Sequence, residues 1–479
     1  MLSMVEAAFI ALSGCAVFAS PIKYPIKSIN QRLSAIERQV EAGALPLWVF
    51  HNQELYNLEL ERIFGGGWIF MAHETEIPDP GDYVARSIGN DPFIVVRGHD
   101  NVVRVLFDSC RHRGARLCVA DKGNAKSFFC PYHGWTYRNT GDLSGVPNIH
   151  TAYKVLDLKQ WGLLPAPRAE TYRGLIFASL NPNIRPLIEH LGDYRWYLDL
   201  NLALSPSGME VIGEPHRWHI EADWKSGSDN FAGDSYHTQT LHQSIVRLGL
   251  SNAAGASGGK NDIHVTECNG HSTSIRRCDP GETYFWGYPE EVYREFSRGS
   301  ELSGEQFDLV KRAVVYTGTI FPNLSLIHIH AKDAPDNEGA AFFSLRQWKP
   351  RGPGKMEAWS WVLVPRTAPA AYKALAYRAA VASFSPSGNF EQDDSIAWGG
   401  VSRAARGQFA KQQNITLNYQ MGLEGMSEAK VMTDWPGPGI VYDSNLEEGV
   451  QRTFWRHWSR AMSVPRRLEQ TDRRADERR

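Results

Sequence analysis

The chain has few cysteines, no surplus of charge of one sign and no long apolar run. Only 6 of its 479 residues are cysteine, which excludes a small disulfide-stapled scaffold. Its 51 basic and 53 acidic residues nearly cancel, so no strong overall field attracts nucleic acid or an anionic membrane. No stretch reaches the roughly 18 uninterrupted apolar residues that a bilayer-spanning helix needs. These absences favour a soluble, cytoplasmic globular protein with neither nucleic acid nor a membrane as partner.

The length and the composition are those of an ordinary folded protein with several domains. Hydrophobic residues make up 42% of the chain and charged residues 22%, which is typical of globular proteins. At about 100–200 residues per domain, two or three domains are expected. Residues 5–20 are mostly small or apolar, but no lysine or arginine precedes them. Because a secretory signal begins with basic residues, we interpret this segment as an ordinary extension.

Residue patterns predict helical segments first and a small all-β domain after them. Apolar spacing predicts helices over 29–43 and 51–64, the second capped by Asn52 and stopped by three consecutive glycines. From residue 68 to about 183 the segments are short, rich in β-branched residues and separated by turn residues. Strands are predicted over 82–87, 92–97 and 102–107.

After residue 183 the pattern is mixed and predicts an α+β domain. Helices are predicted over 187–200, 304–315 and 369–384, and strands of one antiparallel sheet over 319–330, 341–349 and 358–365. The predicted fold class is α+β, with a small all-β domain inserted into a larger α+β domain whose central antiparallel sheet is covered by helices. The predicted domains are an N-terminal extension with helices over 1–67, the small domain over 68–183, the larger domain over 184–464 and a charged tail over 465–479.

The small domain contains two short clusters of metal-ligating residues. Cys110-Arg-His112 and Cys130-Pro-Tyr-His133 are separated by 17 residues. Two cysteines and two histidines also suit tetrahedral zinc, but zinc ribbons favour C-x-x-C spacing. The flanking residues, Cys-Arg-His-Arg-Gly and Cys-Pro-Tyr-His-Gly-Trp, resemble the Rieske family. In that family two cysteines bind one iron of a [2Fe–2S] cluster and two histidines bind the other.

A second cluster lies about 100 residues further along the chain. Asn230, Asp234, His237 and His242 follow each other within 13 residues, and two histidines with one carboxylate suit non-haem Fe(II). On an ideal helix, a spacing of five places the two histidines about 140° apart. We therefore expect a π-bulge or a break between them. Taken alone, the pattern also fits two unrelated histidines.

The two clusters together resemble one enzyme family. Segments 223–225, 230–242 and 391–394 are similar to the active-site segments of Rieske ring-hydroxylating oxygenases. Segments 61–64, 321–323, 418–421 and 437–439 are similar to the large (α) subunit of naphthalene-, biphenyl- and phthalate-type dioxygenases. The resemblance extends from about residue 52 to residue 463.

The resemblance implies two metal centres per chain. The implied ligands of the [2Fe–2S] cluster are Cys110, His112, Cys130 and His133. Those of one Fe(II) are His237, His242 and Asp394, with Asp393 as the neighbouring carboxylate. Asp234 would connect His237 to His133 of a neighbouring subunit and give a short electron path. Asn230 would lie near the iron.

The resemblance also implies the reaction and the partners. The enzyme would use O2 and electrons from NADH for the cis-dihydroxylation of an aromatic ring. No dinucleotide-binding G-x-G-x-x-G is present, so NADH would act indirectly, through a reductase and a ferredoxin. The α subunits would form α3 or, with a small β subunit, α3β3. A Rieske monooxygenase or demethylase has the same triad; a non-catalytic Rieske carrier would leave most of the chain unexplained.

Motif positions also imply residues that bind the substrate. Phe231, Thr238, Phe384 and Phe390 are carried over from the family, and aromatic side chains suit a flat ring. Arg276 and Arg277 could bind an aryl carboxylate such as phthalate, or they could be two surface residues. In an extended segment one would face inward and the other solvent. The substrate is therefore either a polycyclic arene or an aryl carboxylate.

Overall fold

The computed structural model describes residues 28–251, 261–296, 301–423 and 429–463. The apolar segment 5–20 and the charged tail 465–479 lie outside the described residues, as does the segment 252–260, whose small residues predict a loop. Among the helices of the described ranges, none is long and apolar enough to cross a membrane.

Two helical segments precede the small domain, as predicted. The first helix is Ile29–Glu41, and the second is Gln53–Glu59 followed by a π-helical turn over Leu60–Phe64. The side chain of Asn52 caps the second helix by accepting a hydrogen bond from the amide of Leu55 at 2.9 Å. The π turn ends at the glycines that were predicted to stop this helix. Between the helices, the strand Ala44–Pro46 pairs with Thr416–Asn418.

The small β domain is built from three antiparallel sheets. The four-stranded sheet has the order Val103–Phe107, Asp91–Arg97, Asp82–Ile88 and Lys122–Asn124. The first three-stranded sheet has the order Ser127–Phe129, Thr136–Arg138 and Leu143–Gly145. The second has the order Arg168–Tyr172, Leu175–Ser179 and Ile69–His73. The domain also contains the short helix Ile149–Ala152.

Both faces of the strand Asp91–Arg97, in the middle of the four-stranded sheet, are buried in different cores. Side chains alternate along a strand: Phe93 and Val95 belong to the main core, which continues into the larger domain, while Ile94 and Val96 belong to a second, smaller core under the Cys–His boxes. The small domain is therefore packed against the larger one through a face of its own sheet.

The larger domain is organised around a nine-stranded antiparallel sheet. Its strand order is Met209–Val211, Lys355–Pro365, Ala340–Gly352, Leu324–Ala331, Ala313–Ile320, His271–Arg277, Asp262–Cys268 and Ile440–Tyr442, with His216–Ile220 also paired to Lys355–Pro365. The predicted α+β class with a central antiparallel sheet is confirmed.

Three helices pack directly on this sheet: Trp224–Phe231, Ala370–Phe384 and Gly449–Ser463. The other helices of the domain are Leu187–Leu191, Arg195–Leu202, Gln243–Arg247, Glu290–Tyr293, Gly304–Arg312, Asn389–Arg406 and Gln408–Gln413. Trp224–Phe231 lies close to the sheet because Gly227 has no side chain: a Cβ there would stand 2.4 Å from the ring of Trp348. This close approach places the end of the helix over the middle of the sheet.

Three predicted elements differ from the structure. The single helix predicted over 187–200 is two helices, Leu187–Leu191 and Arg195–Leu202, which are separated at Gly192, where φ is +48°. The single strand predicted over 319–330 is two strands, Ala313–Ile320 and Leu324–Ala331. The chain turns between them at Pro322, which lacks the amide hydrogen that a central strand must donate. The helix predicted over 304–315 ends at Arg312, where the β-branched residues that follow continue as the first of these strands.

A buried charge cluster joins three distant segments. The Nζ of Lys225 lies 2.8 Å from Glu59 Oε1 and 2.6 Å from Asp223 Oδ1. Glu59 also accepts hydrogen bonds from the indoles of Trp224 and Trp458, each at 3.0 Å. Burial raises the pKa of Glu59 to about 7, with Lys225 opposing this shift and Asp223 adding to it. The cluster connects the second N-terminal helix, the helix Trp224–Phe231 and the C-terminal helix.

We expect Glu59→Ala to lower the free energy of unfolding by about 3–5 kcal/mol, because it removes one partner of a buried ion pair. The matched control is Glu61→Ala, at an exposed glutamate in the next turn. This substitution should change the free energy of unfolding by less than about 0.5 kcal/mol. Urea denaturation followed by tryptophan fluorescence measures both. Equal, small effects of the two substitutions would show that the cluster contributes little.

Candidate metal centres and substrate pocket

The two Cys–His boxes lie on two loops of the small domain, and each loop contains the same type of backbone turn. The amide of Gly114 donates to the carbonyl of Cys110 at 2.8 Å, and the amide of Gly134 donates to that of Cys130 at 3.0 Å. Both glycines have a φ of +75°, in the left-handed region that favours glycine. The glycine at the end of each box is therefore part of the loop geometry, which explains its place in both boxes.

The four side chains of the boxes form a donor set. The thiols of Cys110 and Cys130 are buried, and the rings of His112 and His133 lie 4.5 Å apart. Both Nδ1 atoms are buried and have no hydrogen-bond partner among the described residues. Trp135 stacks on the ring of His112 at 5.0 Å. Two thiols beside two unpartnered imidazole nitrogens fit a [2Fe–2S] cluster with histidines on one iron.

In the larger domain, His237, His242 and Asp394 meet although they are distant in sequence. The two Nε2 atoms are 3.1 Å apart, and Oδ1 of Asp394 lies 3.2 Å from Nε2 of His242 and 3.5 Å from that of His237. This Oδ1 is buried and has no hydrogen-bond partner in the described ranges. The segment 391–394 is not an exposed acidic turn, since it belongs to the helix Asn389–Arg406. Two imidazoles and one carboxylate fit a single Fe(II).

A backbone break separates the two histidines, as their spacing predicts. His237 lies in the 3-10 turn Tyr236–Gln239, and His242 stands at the N-terminal end of the helix Gln243–Arg247. On a continuous helix the two rings would point about 140° apart. The interruption lets both rings face the same point.

A carboxylate contacts the second ring nitrogen of each histidine. Oδ2 of Asp234 lies 3.3 Å from Nδ1 of His237, and Oδ2 of Asp393 lies 3.3 Å from Nδ1 of His242. The amide nitrogen of Asn230 lies 3.4 Å from Nδ1 of His237. Such partners orient an imidazole and select the tautomer whose other nitrogen can bind a metal.

The contact between Asp234 and His237 is electrostatically strong. Burial lowers the pKa of His237, but the charge and hydrogen bond of Asp234 outweigh it and raise that pKa to about 9. For Asp234, burial raises the pKa, but the charge and hydrogen bonds of His237 outweigh burial and hold the pKa of this carboxyl below its ordinary value. A metal must displace the proton of His237, because only the neutral ring is a ligand.

An apolar pocket with an empty volume of about 570 Å³ opens onto the three-residue group. Its lining includes all four residues that motif position implied and four from the sheet: Phe231, Thr238, Phe384, Phe390, Val315, Thr317, Ile327 and Ile329. The sheet residues are spaced by two along their strands and therefore share the inner face. Flat aromatic walls suit a flat ring.

Arg276 lines this pocket, whereas Arg277 is absent from the lining. Nε of Arg276 donates to Oδ1 of Asp262 at 3.2 Å, and Asp262 also accepts from Asn445 at 2.7 Å. Arg277 is partly exposed, and its guanidinium lies 5.5 Å from the ring of Trp435. The charge at the pocket is thus paired inside the protein.

Two side chains at the site were missed by sequence reasoning. Asp393 was considered only as the neighbour of a ligand, yet it contacts His242. Arg346 is fully buried, pairs with Glu391 and lies 5.3 Å from the ring of Phe231 and 5.1 Å from that of Phe384. The sequence did contain a signal for Arg346, because it is a charged residue in the middle of the mostly apolar strand predicted over 341–349.

Comparisons with known families agree with this geometry. Residues 67–162 match the Rieske [2Fe-2S] domain. Residues 191–463 match the ring hydroxylating alpha subunit (catalytic domain). The two matches fall on the part of the chain with the Cys–His boxes and on the part with the histidine–carboxylate group.

Curated relatives cover almost the whole chain. The α subunit of an N,N-dimethyl phenylurea N-demethylase from Sphingobium sp. (strain YBL2) is 36% identical over 90% of this chain and 94% of its own length. The α subunit of biphenyl dioxygenase from Paraburkholderia xenovorans (strain LB400) is 35% identical over 94% and 97%.

A solved structure agrees as well. Naphthalene 1,2-dioxygenase from Rhodococcus sp., bound to indole, superposes with a TM-score of 0.86 at 40% identity over 91% of this chain and 98% of that one. The resemblance inferred from the sequence is confirmed. The chain belongs to the α subunits of ring-hydroxylating dioxygenases, oxidoreductases that combine a Rieske [2Fe–2S] domain with a catalytic domain that binds mononuclear iron.

Proposed function

We propose that this chain is the terminal oxygenase subunit that adds both atoms of O2 to one face of an uncharged aromatic ring and yields a cis-dihydrodiol. The observation that carries the proposal is the group of His237, His242 and Asp394 at the end of an apolar pocket with phenylalanine walls. A protein that only carried electrons would need neither the group nor the pocket.

We assign each centre to residues whose donor atoms fit it. The cluster is assigned to Cys110, His112, Cys130 and His133. The Fe(II) is assigned to His237, His242 and Asp394. When bound, the cluster supplies single electrons and the iron activates O2 at its open positions.

The chain's own residues orient the ligands and the substrate. Asp234 and Asp393 hold the two imidazoles with Nε2 toward Asp394. The rings of Phe231 and Phe384 hold a flat substrate and keep water from the pocket. Asn230, whose side chain lies beside His237, belongs to the same polar side of the pocket.

We infer that electrons reach the iron through Asp234 from a neighbouring copy of the chain. Asp234 lines the substrate pocket and also a second cavity with Tyr419 and Trp398, so it can be approached from outside the pocket. In an α3 or α3β3 ring, a hydrogen bond from the partner subunit's His133 would complete the path. A ferredoxin and an NADH-dependent reductase would supply the electrons, and a small β subunit is the proposed further partner.

The pairing of Arg276 with Asp262 favours an uncharged arene over an aryl carboxylate. A carboxylate gains most from an arginine whose charge is unpaired and desolvated. Here the buried Asp262 already pairs with the arginine, and away from the polar side around the histidines the lining is mainly aromatic or aliphatic. We therefore propose naphthalene- or biphenyl-like arenes as the substrate class and retain phthalate and benzoate as test compounds.

One observation favours a second reaction, oxidative N-demethylation. A relative that is 36% identical is named an N,N-dimethyl phenylurea N-demethylase. The histidine–carboxylate group suits both cis-dihydroxylation and N-demethylation, so the two reactions are distinguished by their products.

The proposed function is tested by metal analysis and turnover. We expect about three irons and two sulfides per chain, from one cluster and one Fe(II). With a generic ferredoxin–reductase pair and NADH, naphthalene or biphenyl should give a dihydrodiol that carries two atoms from ¹⁸O2, while phthalate and benzoate should react more slowly. Formaldehyde from N,N-dimethyl phenylurea without any dihydrodiol would favour demethylation. Zinc without sulfide would contradict the cluster.

We expect Asp394→Ala to keep the visible spectrum of the cluster and to lose arene oxidation, because it removes a ligand of the iron. Asp393→Ala is the matched control: it removes only the contact to His242 and should lower turnover by about 10–100-fold. Iron content and product formation measure the difference. Full dihydroxylation by the Asp394→Ala variant would mean that the other carboxylate is the ligand.

We expect Asp234→Ala to leave the cluster reducible and both centres loaded. Oxidation of the pre-reduced cluster in a single turnover, with arene and O2 present, should slow by about 10–100-fold, because the carboxylate that orients the imidazole and connects the centres is gone. Stopped-flow absorbance measures this rate. An unchanged rate at normal iron content would remove Asp234 from the electron path.

A further inference from the structure

Arg346 is a buried cation beside the pocket wall. It lies in the strand Ala340–Gly352 and is 0% exposed. The centre of its guanidinium lies 5.3 Å from the ring of Phe231, 5.1 Å from that of Phe384 and 4.9 Å from that of Trp348. These distances are within the range of cation–π attraction, up to about 6 Å. Two of these three rings line the pocket, whereas Arg346 itself is not part of the lining.

The same guanidinium contacts the helix that carries Asp394. Its Nη2 pairs with Glu391, and its Nη1 donates to the carbonyl of Phe384 at 3.4 Å. Glu391 is buried and lies three residues before Asp394 in one helix. Residues three apart lie on the same face of a helix. The contact between Arg346 and Glu391 therefore determines the position of this helix face, which also carries Asp394, relative to the strand Ala340–Gly352.

A second chain of contacts leads from the same wall to another ligand. The rings of Phe384 and Phe390 stack at 5.1 Å with 18° between their planes. The ring of Phe390 in turn packs edge-on against His242, with the centroids 4.9 Å apart. The phenyl wall and two of the three proposed iron ligands thus form one packed unit around Arg346.

An arginine suits this position for a physical reason. Its planar fork can contact a carboxylate, a carbonyl and several ring faces at once, whereas a lysine ammonium is a single hydrated point charge. It also compensates Glu391, which would otherwise be an unpaired buried carboxylate near Asp394.

We propose that Arg346 is a positioning residue that fixes the phenyl wall of the pocket relative to Asp394 and thereby sets where an aromatic ring stands above the iron. It acts through Phe231, Phe384 and Glu391 and not by touching the substrate. This inference rests on the proposed function, because it concerns the arene in that pocket.

The test uses the full assembled protein and three variants. Arg346→Lys keeps the charge and removes the fork. The double variant Arg346→Met with Glu391→Gln removes both charges, so that no unpaired buried ion remains and the fold is retained. The matched control is Arg351→Met, on the same strand, where the arginine pairs with Glu357 near the surface.

Four quantities are measured, with biphenyl as the probe: its dissociation constant on the oxidised protein, the ratio of dihydrodiol regioisomers, the iron content per chain and the melting temperature. We expect the Lys and the double variants to bind biphenyl about tenfold more weakly and to shift the regioisomer ratio, at the melting temperature and iron content of the control. A role in stability alone would lower the melting temperature and leave the ratio unchanged.

An unchanged dissociation constant and regioisomer ratio in the folded double variant would overturn the proposal. If that variant failed to fold, the same comparison with Arg346→Lys would decide it. A wild-type protein that bound biphenyl without oxidising it would contradict the proposed function, while the dissociation constants of the variants would still test the role of Arg346.

Discussion

The ammonium group of Lys225 has no access to water. The position of the helix Trp224–Phe231 depends on the groups that balance the charge of this ammonium. Glu59 and Asp223 supply the opposite charges, and a buried ammonium without them would be very unfavourable. Glu59 comes from the second N-terminal helix and also accepts a hydrogen bond from the C-terminal helix through Trp458. Because Lys225 lies in the first turn of the helix that ends at Phe231, segments from both ends of the described chain determine where one wall of the pocket lies.

The buried charges around the site are paired with each other, and the exposed surface of the pocket is mainly apolar. Arg276 is paired with Asp262, and Arg346 with Glu391. Nδ1 of His237 and Nδ1 of His242 each contact a carboxylate. In a medium of low dielectric constant such pairs are strong and directional. Oδ1 of Asp394 is buried without a hydrogen-bond partner among the described residues and lies beside the two imidazoles, where an ion would bind.

The metal-ligating boxes and the fold class could be predicted from the sequence because their signals are local. Two boxes of a few residues contain all four proposed cluster ligands, and the spacing of His237 and His242 even indicated the break between them. The split of segment 319–330 at Pro322 could also have been predicted from proline chemistry. The cover of Arg277 by Trp435 and the contacts of Arg346 could not, because they join segments that only the complete sheet brings together.

The middle of the four-stranded sheet of the small domain is buried on both faces, one of them in the core that continues into the larger domain. The small domain cannot move on a flexible linker, because such a movement would expose the inner sheet face with Phe93 and Val95. The two domains therefore cannot be exchanged independently between relatives. A chimera that took its iron–sulfur half from a relative would also need that relative's inner sheet face, together with the residues of the catalytic half that pack on it.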